Sequence, residues 1–363
     1  MKKYFWSFAL LLSTVFVFTS CLKEEDKPTP EGGKFTLTVG TFVLNEGNYY
    51  NKINGSLDYI DIASSKVAQG LFHSVNNRSL GGTPNSIIAA GSKAEIYIAC
   101  TDENRVEIVD SKLKSVTAVE IPQPREMAVS EGNVYVTSYN GRVYKVSSDT
   151  HKIMATSDVV GGNLEGIAIR GGHLYVCNAY NPDYTYNNNV VKMNAATLKK
   201  ESDVIVAVNP VEIKCDGTNL YVLSRGDYKD VKSQVQKIDA GDKVTYLFDA
   251  LYFDFFKSNL FAVNQVFDKD LNKKVYTYFA YSKEGKKALI EPPLNIPAPC
   301  AINVDPNSGV LFVSSYSLGD KGYPDYSAKG YVYAFSLDKS YAKRFNVGVG
   351  PCSLLFNHVT YYK

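Results

Sequence analysis

Short runs of alternating apolar and polar residues, separated by Gly, Asn and Asp, follow one another along most of the chain. The clearest group begins after Pro84 and contains four runs, at Ser86–Ala90, Glu95–Ala99, Arg105–Val109 and Val116–Ile121. A period of two with β-branched and aromatic residues is typical of half-buried strands, and glycines between the runs are typical of tight hairpins. The pattern predicts a unit of four strands.

The next segment repeats this unit with runs at Glu126–Val129, Asn133–Thr137, Gly141–Val146 and Lys152–Thr156. No stretch after residue 33 has the 3.6-residue period of an amphipathic helix, so we expect almost no helix.

Seven short openings precede such units, several of them with a proline at the boundary, at steps of 40 to 52 residues. They are Thr83–Ser86, Gln123–Glu126, Asn163–Gly166, Asn209–Glu212, Ala250–Phe253, Ala298–Ala301 and Gly350–Ser353. A repeat of this length with several strands is typical of a β-propeller and not of a helical solenoid. The sequence therefore predicts an all-β, seven-bladed β-propeller over residues 35–363, with an irregular β-sandwich as the alternative.

The two ends of the chain each supply part of one unit. Thr41–Leu44, Leu57–Ile62 and Val67–Phe72 resemble second, third and fourth strands, whereas Ser353–Phe356 resembles a first strand. We expect one blade to be built from both termini, which closes the ring and removes two exposed strand edges. A further strand at Val359–Tyr362 has no assigned place in this scheme.

The N-terminus predicts export and lipid anchoring. Two lysines precede an apolar run, Phe5–Phe18, that is shorter than the about 20 residues a membrane span needs. Thr-Ser-Cys follows, which resembles a bacterial lipobox, and Leu22–Asp26 resembles the surface-export signal of Bacteroidetes lipoproteins. We expect a signal peptide at 1–20, lipidation of Cys21, a flexible tether at 21–34 and a location at the outer membrane, facing outward. A plain secretory peptide is the alternative.

The charge balance limits the classes of binding partner, and the cysteine count limits the possible disulfides. Without the signal peptide, Lys+Arg and Asp+Glu both number 37, so no basic field attracts nucleic acid, and contact with the membrane is expected through the lipid anchor only. Five cysteines remain after Cys21, and an odd number argues against a complete disulfide framework. A disulfide between Cys300 and Cys352, which occupy the same place in adjacent units, is left open; small buried apolar residues are the favoured interpretation.

The histidines predict no metal or nucleophile site. In a propeller, loops between second and third strands share one face with the loops that join consecutive blades; we call this the funnel face. By that rule, only His73 could approach the funnel, whereas His151, His173 and His358 lie on the opposite face. No His-x-His, Cys-x-x-Cys or Ser-His-Asp arrangement accompanies them.

The predicted funnel-face loops combine tyrosines with Asn, Gln, Asp and Arg. Tyrosine offers a flat apolar surface with a polar tip, and amides both donate and accept hydrogen bonds. Such a rim suits a large, rigid, uncharged ligand with many amides or hydroxyls, although tyrosine-rich loops can also simply pack on each other. The candidate ligand-binding residues are Asn45, Glu46, Asn48, Arg125, Tyr139, Asn178, Tyr180, Arg225, Asp227, Tyr228, Gln265, Phe267 and Tyr316.

The segments Leu44–Asn48 and Gly55–Asp61, with the Pro-x-Ser/Glu openings and the lipoprotein head, resemble the YncE-like seven-bladed propellers of Bacteroidetes. The resemblance covers roughly residues 35–363. It implies a surface lipoprotein, not an enzyme, that captures cobalamin or another corrinoid and passes it to a BtuB-like TonB-dependent outer-membrane transporter. Cobalamin is then a transported ligand and not a cofactor. We expect recognition by shape and hydrogen bonds, with cobalt keeping its own axial base.

Two alternatives belong to other classes. One is a propeller enzyme of the lactonase type with a calcium ion in the channel, for which Glu126, Glu165 and Glu212 stand at equivalent blade openings. The other is a scaffold that binds a protein or glycan with its rim.

Overall fold

The computed structural model describes residues 34–270 and 273–362. The predicted signal peptide, Cys21 and the tether lie outside the described residues, apart from Lys34. Within the described residues, 59% lie in strands and 2% in helix, and the strands form seven sheets arranged as a ring. The all-β, seven-bladed β-propeller is therefore confirmed.

The first half of the ring begins with the closing blade, blade 1, and continues through blades 2 and 3. Its strands are β1 (Lys34–Asn45), β2 (Ser56–Asp61), β3 (Lys66–Ala68), β4 (Pro84–Ala90), β5 (Glu95–Cys100), β6 (Arg105–Val109), β7 (Ser115–Glu120), β8 (Pro124–Ser130), β9 (Asn133–Ser138), β10 (Val143–Ser147) and β11 (Ile153–Thr156).

Blades 4, 5 and 6 follow with four strands each. These are β12 (Asn163–Arg170), β13 (His173–Tyr180), β14 (Tyr186–Asn194), β15 (Lys200–Ile205), β16 (Pro210–Cys215), β17 (Leu220–Ser224), β18 (Gln234–Ile238), β19 (Val244–Asp249), β20 (Tyr252–Phe256), β21 (Asn259–Asp268), β22 (Lys273–Tyr281) and β23 (Lys287–Ile290). Blade 7 and the last strand complete the ring with β24 (Ala298–Val304), β25 (Leu311–Leu318), β26 (Pro324–Asp325), β27 (Lys329–Phe335), β28 (Ala342–Val349) and β29 (Pro351–Tyr362).

Blade 1 is built from both ends of the chain, in the order β29-β1-β2-β3. β29 is antiparallel to β1 along its length, with Leu355 opposite Phe42 and Tyr362 opposite Lys34. The unplaced run Val359–Tyr362 is thus the outer continuation of β29, and it pairs with the beginning of β1. The C-terminal strand closes the ring.

The predicted fourth strand at Val67–Phe72 is partly wrong. The strand ends at Ala68, and a short helix, α1 (Leu71–Asn76), follows. Gly70 has φ of 64°, a left-handed conformation that turns the chain out of the strand direction. The turn allows Phe72 to be buried in the apolar cluster between blades 1 and 2, which an extended chain here would not do.

The core is divided among the blade interfaces. Each of the seven clusters of buried apolar residues in the described chain joins two neighbouring blades. Between blades 2 and 3, for example, Tyr97 and Ile108 pack with Val134 and Val146. Because burial of apolar surface is the main stabilising contribution, every blade depends on both neighbours. Among the described helices, none has the length and apolar character that crossing a membrane requires.

Candidate functional site

Exposed aromatic side chains concentrate on the funnel face. Of eleven exposed Tyr and Phe residues among those described, eight lie on hairpins between second and third strands. They are Tyr49, Tyr50, Tyr184, Tyr186, Tyr228, Phe267, Tyr323 and Tyr326. Large exposed apolar surface that gathers on one face marks an interaction site more often than scattered surface residues do.

We call the ring of seven residues at the third place of the blade openings, where the innermost strands begin, the floor of the funnel. The ring consists of Asn85, Arg125, Glu165, Val211, Tyr252, Cys300 and Cys352. Pairing with the second strand is irregular at this place in every blade except blade 6. A β-bulge re-aims a side chain out of the regular alternation. The repeated bulge takes these residues out of the regular strand alternation in six of the seven blades.

Arg125 and Glu165 form an ion pair across blades 3 and 4. Nε of Arg125 lies 3.0 Å from one carboxylate oxygen of Glu165, and Nη2 lies 3.3 Å from the other. The hydroxyl of Tyr139 also donates to Glu165, and its ring lies 4.5 Å from the Arg125 guanidinium carbon. Burial and the nearby Glu165 carboxylate raise the pKa of Tyr139, so the phenol stays protonated. Arg125, Glu165 and Tyr139 therefore contact one another, and these contacts hold the Arg125 side chain in place.

Two other carboxyl groups near the floor have weaker partners. Glu126 accepts a hydrogen bond of 2.8 Å from Nδ2 of Asn85, and burial raises the pKa of Glu126 to about 7. Glu46 accepts a hydrogen bond of 3.2 Å from the Tyr316 hydroxyl, and burial also raises its pKa. Below about pH 7 the Glu126 carboxyl can therefore be protonated, and in that form it donates as well as accepts hydrogen bonds.

The raised pKa of Glu126 predicts a pH-dependent stability. Between the ordinary value of 4.5 and about 7, the folded chain keeps a proton that the unfolded chain has released. The stability that the protonated Glu126 carboxyl contributes is therefore full below pH 4.5 and is lost as the pH rises from 4.5 to about 7. Glu126→Gln is expected to raise the free energy of unfolding near pH 8 by up to about 3 kcal/mol, with little change near pH 4.

Urea unfolding of both proteins at the two pH values measures this difference, with Glu120→Gln on the exposed edge of β7 as a matched control. A Glu126→Gln protein no more stable than wild type near pH 8 would contradict the assigned burial.

The walls above the floor carry paired tyrosines. The ring of Tyr180 lies between Tyr139, at 5.8 Å, and Tyr184, which is stacked on it at 6.2 Å. The next blade continues this row, since the Tyr186 and Tyr228 ring centroids are 6.0 Å apart. The long loop after Asn178 and the loop at Ser224–Tyr228 therefore flank each other on the funnel face.

The side chains of three candidate residues already have hydrogen-bond partners within the protein. Asn45 is 0% exposed, and its amide donates to Ser56. Asn178 is 8% exposed, and its side chain contacts Gly162, Asn187 and Asn189. The Asp227 carboxylate accepts backbone N–H groups of its own loop, which lowers its pKa. Polar residues at strand ends satisfy backbone and neighbouring groups before they are free for a ligand.

The other candidates lie on the funnel face. Arg225 stacks on the floor residue Tyr252, with its guanidinium carbon 4.7 Å from the ring centroid. Gln265 and the exposed Phe267 lie on the hairpin that β21 and β22 extend past the rest of blade 6. The Asn48 amide donates to the Tyr326 carbonyl at 2.9 Å, which joins the loops of blades 1 and 7.

The remaining sequence expectations have mixed outcomes. His73 is exposed on α1, which packs against β2 at the side of blade 1. Cys300 and Cys352 are free thiols, and each donates to a backbone carbonyl of a neighbouring strand.

Glu212 lies 3.0 Å from Nζ of Lys214, which also contacts Asp254 at 2.9 Å. The sequence interpretation missed Lys214 because nothing in its local pattern distinguishes it from a solvated strand lysine.

No family model matches this chain, and no curated protein matches it in sequence. Several solved structures match it in fold. A putative 6-phosphogluconolactonase from Bacteroides uniformis has a TM-score of 0.60 at 11% identity, over 88% of this chain and 99% of its own. A quinoprotein alcohol dehydrogenase-like protein from Bacteroides thetaiotaomicron has a TM-score of 0.58 at 15% identity, over 89% and 79%.

A streptogramin B lyase has a TM-score of 0.50 at 11% identity, over 77% of this chain and 93% of its own. At these identities the likeness shows the β-propeller fold alone, because propellers host many unrelated functions.

Proposed function

We propose that this protein captures cobalamin, or a related corrinoid, in the funnel and delivers it to a BtuB-like TonB-dependent outer-membrane transporter. The observation that carries the proposal is the concentration of eight exposed aromatic side chains on the face whose floor also carries Asn85, Arg125 and Glu165. A corrinoid is broad and rigid, with flat faces for aromatic rings and peripheral amides for hydrogen bonds.

The wall tyrosines and the floor supply complementary parts of such a site. Tyr180 and Tyr228 present ring surface, and tyrosine does so at low conformational cost. Arg225 offers donors to amide oxygens, and Glu126 does so when its carboxyl is protonated, whereas Glu46 and Gln265 offer acceptors to amide N–H groups. The groups needed for a neutral, amide-rich ligand are thus gathered on one face.

The cellular setting of the proposal rests on the sequence. Lipidation of Cys21 would hold the protein at the outer membrane, facing outward, as in surface lipoproteins of the BtuG type. A membrane-bound binder raises the local ligand concentration for a transporter in the same membrane. Residues 1–33 lie outside the described structure, so this part of the proposal depends on the lipobox-like segment.

Calorimetry with cyanocobalamin tests the binding function and its location. Tyr180→Ala and Tyr228→Ala are each expected to weaken binding by at least about tenfold, because truncation of an aromatic anchor removes buried contact area. Lys152→Ala, on the opposite face, and Tyr246→Ala, an exposed tyrosine of β19, are the matched controls. Wild-type protein that neither releases heat nor co-elutes with cyanocobalamin would remove the corrinoid proposal.

A lactonase-type enzyme with a channel calcium has less support. It needs several carboxylates free to converge on one cation. Glu165 is bound on both oxygens by Arg125, and Glu212 is paired with Lys214, so two of the three glutamates are already neutralised by basic side chains. Capture of a ligand therefore accounts for the arrangement better than calcium-dependent chemistry does.

A further inference from the structure

A cavity of about 490 Å³ lies at the rim of the funnel, between the blade 1 loop at Asn48–Asn51 and the blade 7 loop at Gly319–Ser327. Hydrogen bonds between the loops hold its two walls together. Asn48 donates to the Tyr326 carbonyl, and Asn51 donates to the Ser327 hydroxyl. β26 adds pairing to β25 within the blade 7 wall. The cavity is therefore an open depression whose two walls are joined by hydrogen bonds.

The lining combines aromatic surface with a few charged groups. Tyr50 is 90% exposed, Tyr323 73% and Tyr326 54%. These rings leave apolar surface in water that a bound ligand could cover. Asp320 offers a carboxylate, and the carboxylate of Asp325 also accepts the backbone N–H of Ser327. Lys321 is the one basic residue in this lining, and it is exposed.

The cavity is continuous with the funnel wall. The ring of Tyr326 is 4.8 Å from the ring of Tyr316, in an edge-to-face arrangement. Tyr316 in turn donates to Glu46 beside the floor. A ligand whose main body lies against Tyr316 would place a side arm in the cavity. The site therefore suits a molecule with a broad body and one appendage that projects from it.

We propose that this cavity holds the nucleotide appendage of a corrinoid, which consists of an aromatic base, a pentose and a phosphodiester. The inference rests on the proposed function and refines it. With the base still bound to cobalt, its exposed face would contact the tyrosine rings, the pentose hydroxyls would donate to Asp320 or Asp325, and Lys321 would face the single negative charge of the phosphodiester. Blades 1 and 7 then distinguish complete corrinoids from those that lack the nucleotide.

The test compares cyanocobalamin with dicyanocobinamide, a corrinoid without the base, pentose and phosphate. Wild-type protein is expected to bind cyanocobalamin at least about tenfold more tightly. Lys321→Ala and Tyr323→Ala should each weaken cyanocobalamin binding and leave cobinamide binding unchanged. Lys152→Ala and Tyr246→Ala are controls for a lysine and an exposed tyrosine elsewhere, and thermal melting checks that every variant is folded.

Each outcome separates the two proposals. Binding of cyanocobalamin alone or with clear preference, lost in the two cavity variants, supports the nucleotide site. Equal affinity for both ligands in the wild type, or an equal loss of both in the variants, would overturn the nucleotide site while the corrinoid function stands. Absence of binding to either ligand would overturn the proposed function itself.

Discussion

A chain that ends at Val349 is expected to lose cooperative unfolding or to become insoluble. The deletion removes β29, which pairs with β1 along the whole of that strand and is the innermost strand of blade 1. Its loss leaves backbone groups of β1 unpaired next to the channel and removes Leu354 from the cluster that joins blades 7 and 1. Circular dichroism melting and gel filtration measure the effect.

A shorter deletion provides the matched control. Removal of Thr360–Lys363 takes away only the part of β29 that pairs with Lys34–Thr36, beyond the region where β1 also pairs with β2. We expect this protein to fold and to melt cooperatively. A chain ending at Val349 with an unchanged melting curve would contradict the closure of the ring by the C-terminal strand.

Arg125→Ala is expected to destabilise the fold by about 3–5 kcal/mol, because it leaves the carboxylate of Glu165 without its charged partner at a mostly buried position. The side chains of Arg125 and Glu165 are 14% and 10% exposed, so water can replace the guanidinium only in part. The guanidinium also covers the ring of Tyr139, a contact that is lost at the same time. Equilibrium unfolding in urea gives the free-energy difference.

A second substitution isolates the cause. Arg125→Ala combined with Glu165→Gln removes the unpaired charge and is expected to recover a large part of the lost stability. Arg225→Ala is the matched arginine control, since Arg225 contacts the ring of Tyr252, and its loss should cost about 1 kcal/mol. An Arg125→Ala protein within about 1 kcal/mol of wild type would show that the ion pair contributes little.

The blade architecture could be predicted from the sequence because it depends on local periodicity. Arg105–Val109 alternates over its first four residues and coincides with β6, and the split blade followed from a unit that lacked its first strand. Val67–Phe72 was predicted incorrectly because the apolar pattern does not show that Gly70 turns the chain. Burial of Phe72 between blades 1 and 2 favours the helix over a continued strand in this segment.

The site was harder to predict because it depends on which polar groups remain free. The sequence places Asn178 and Tyr180 on one loop, but only the structure shows that the Asn178 amide is used within blade 4. The bulges that aim Arg125 and Glu165 at each other change the strand alternation by one residue. The cavity lined by Tyr50 and Tyr323 comes from two loops about 270 residues apart, a distance that local patterns do not bridge.

Anomalous diffraction at the cobalt absorption edge, from crystals grown with cyanocobalamin, tests the central proposal most directly. Cobalt has no source in the protein itself, so one strong anomalous peak locates the corrin ring. We expect this peak on the funnel face, bordered by Tyr180, Tyr228 and Tyr316, above the ring of floor residues. A peak on the opposite face, or no peak from crystals grown with cyanocobalamin at saturating concentration, would contradict capture of cobalamin by the funnel.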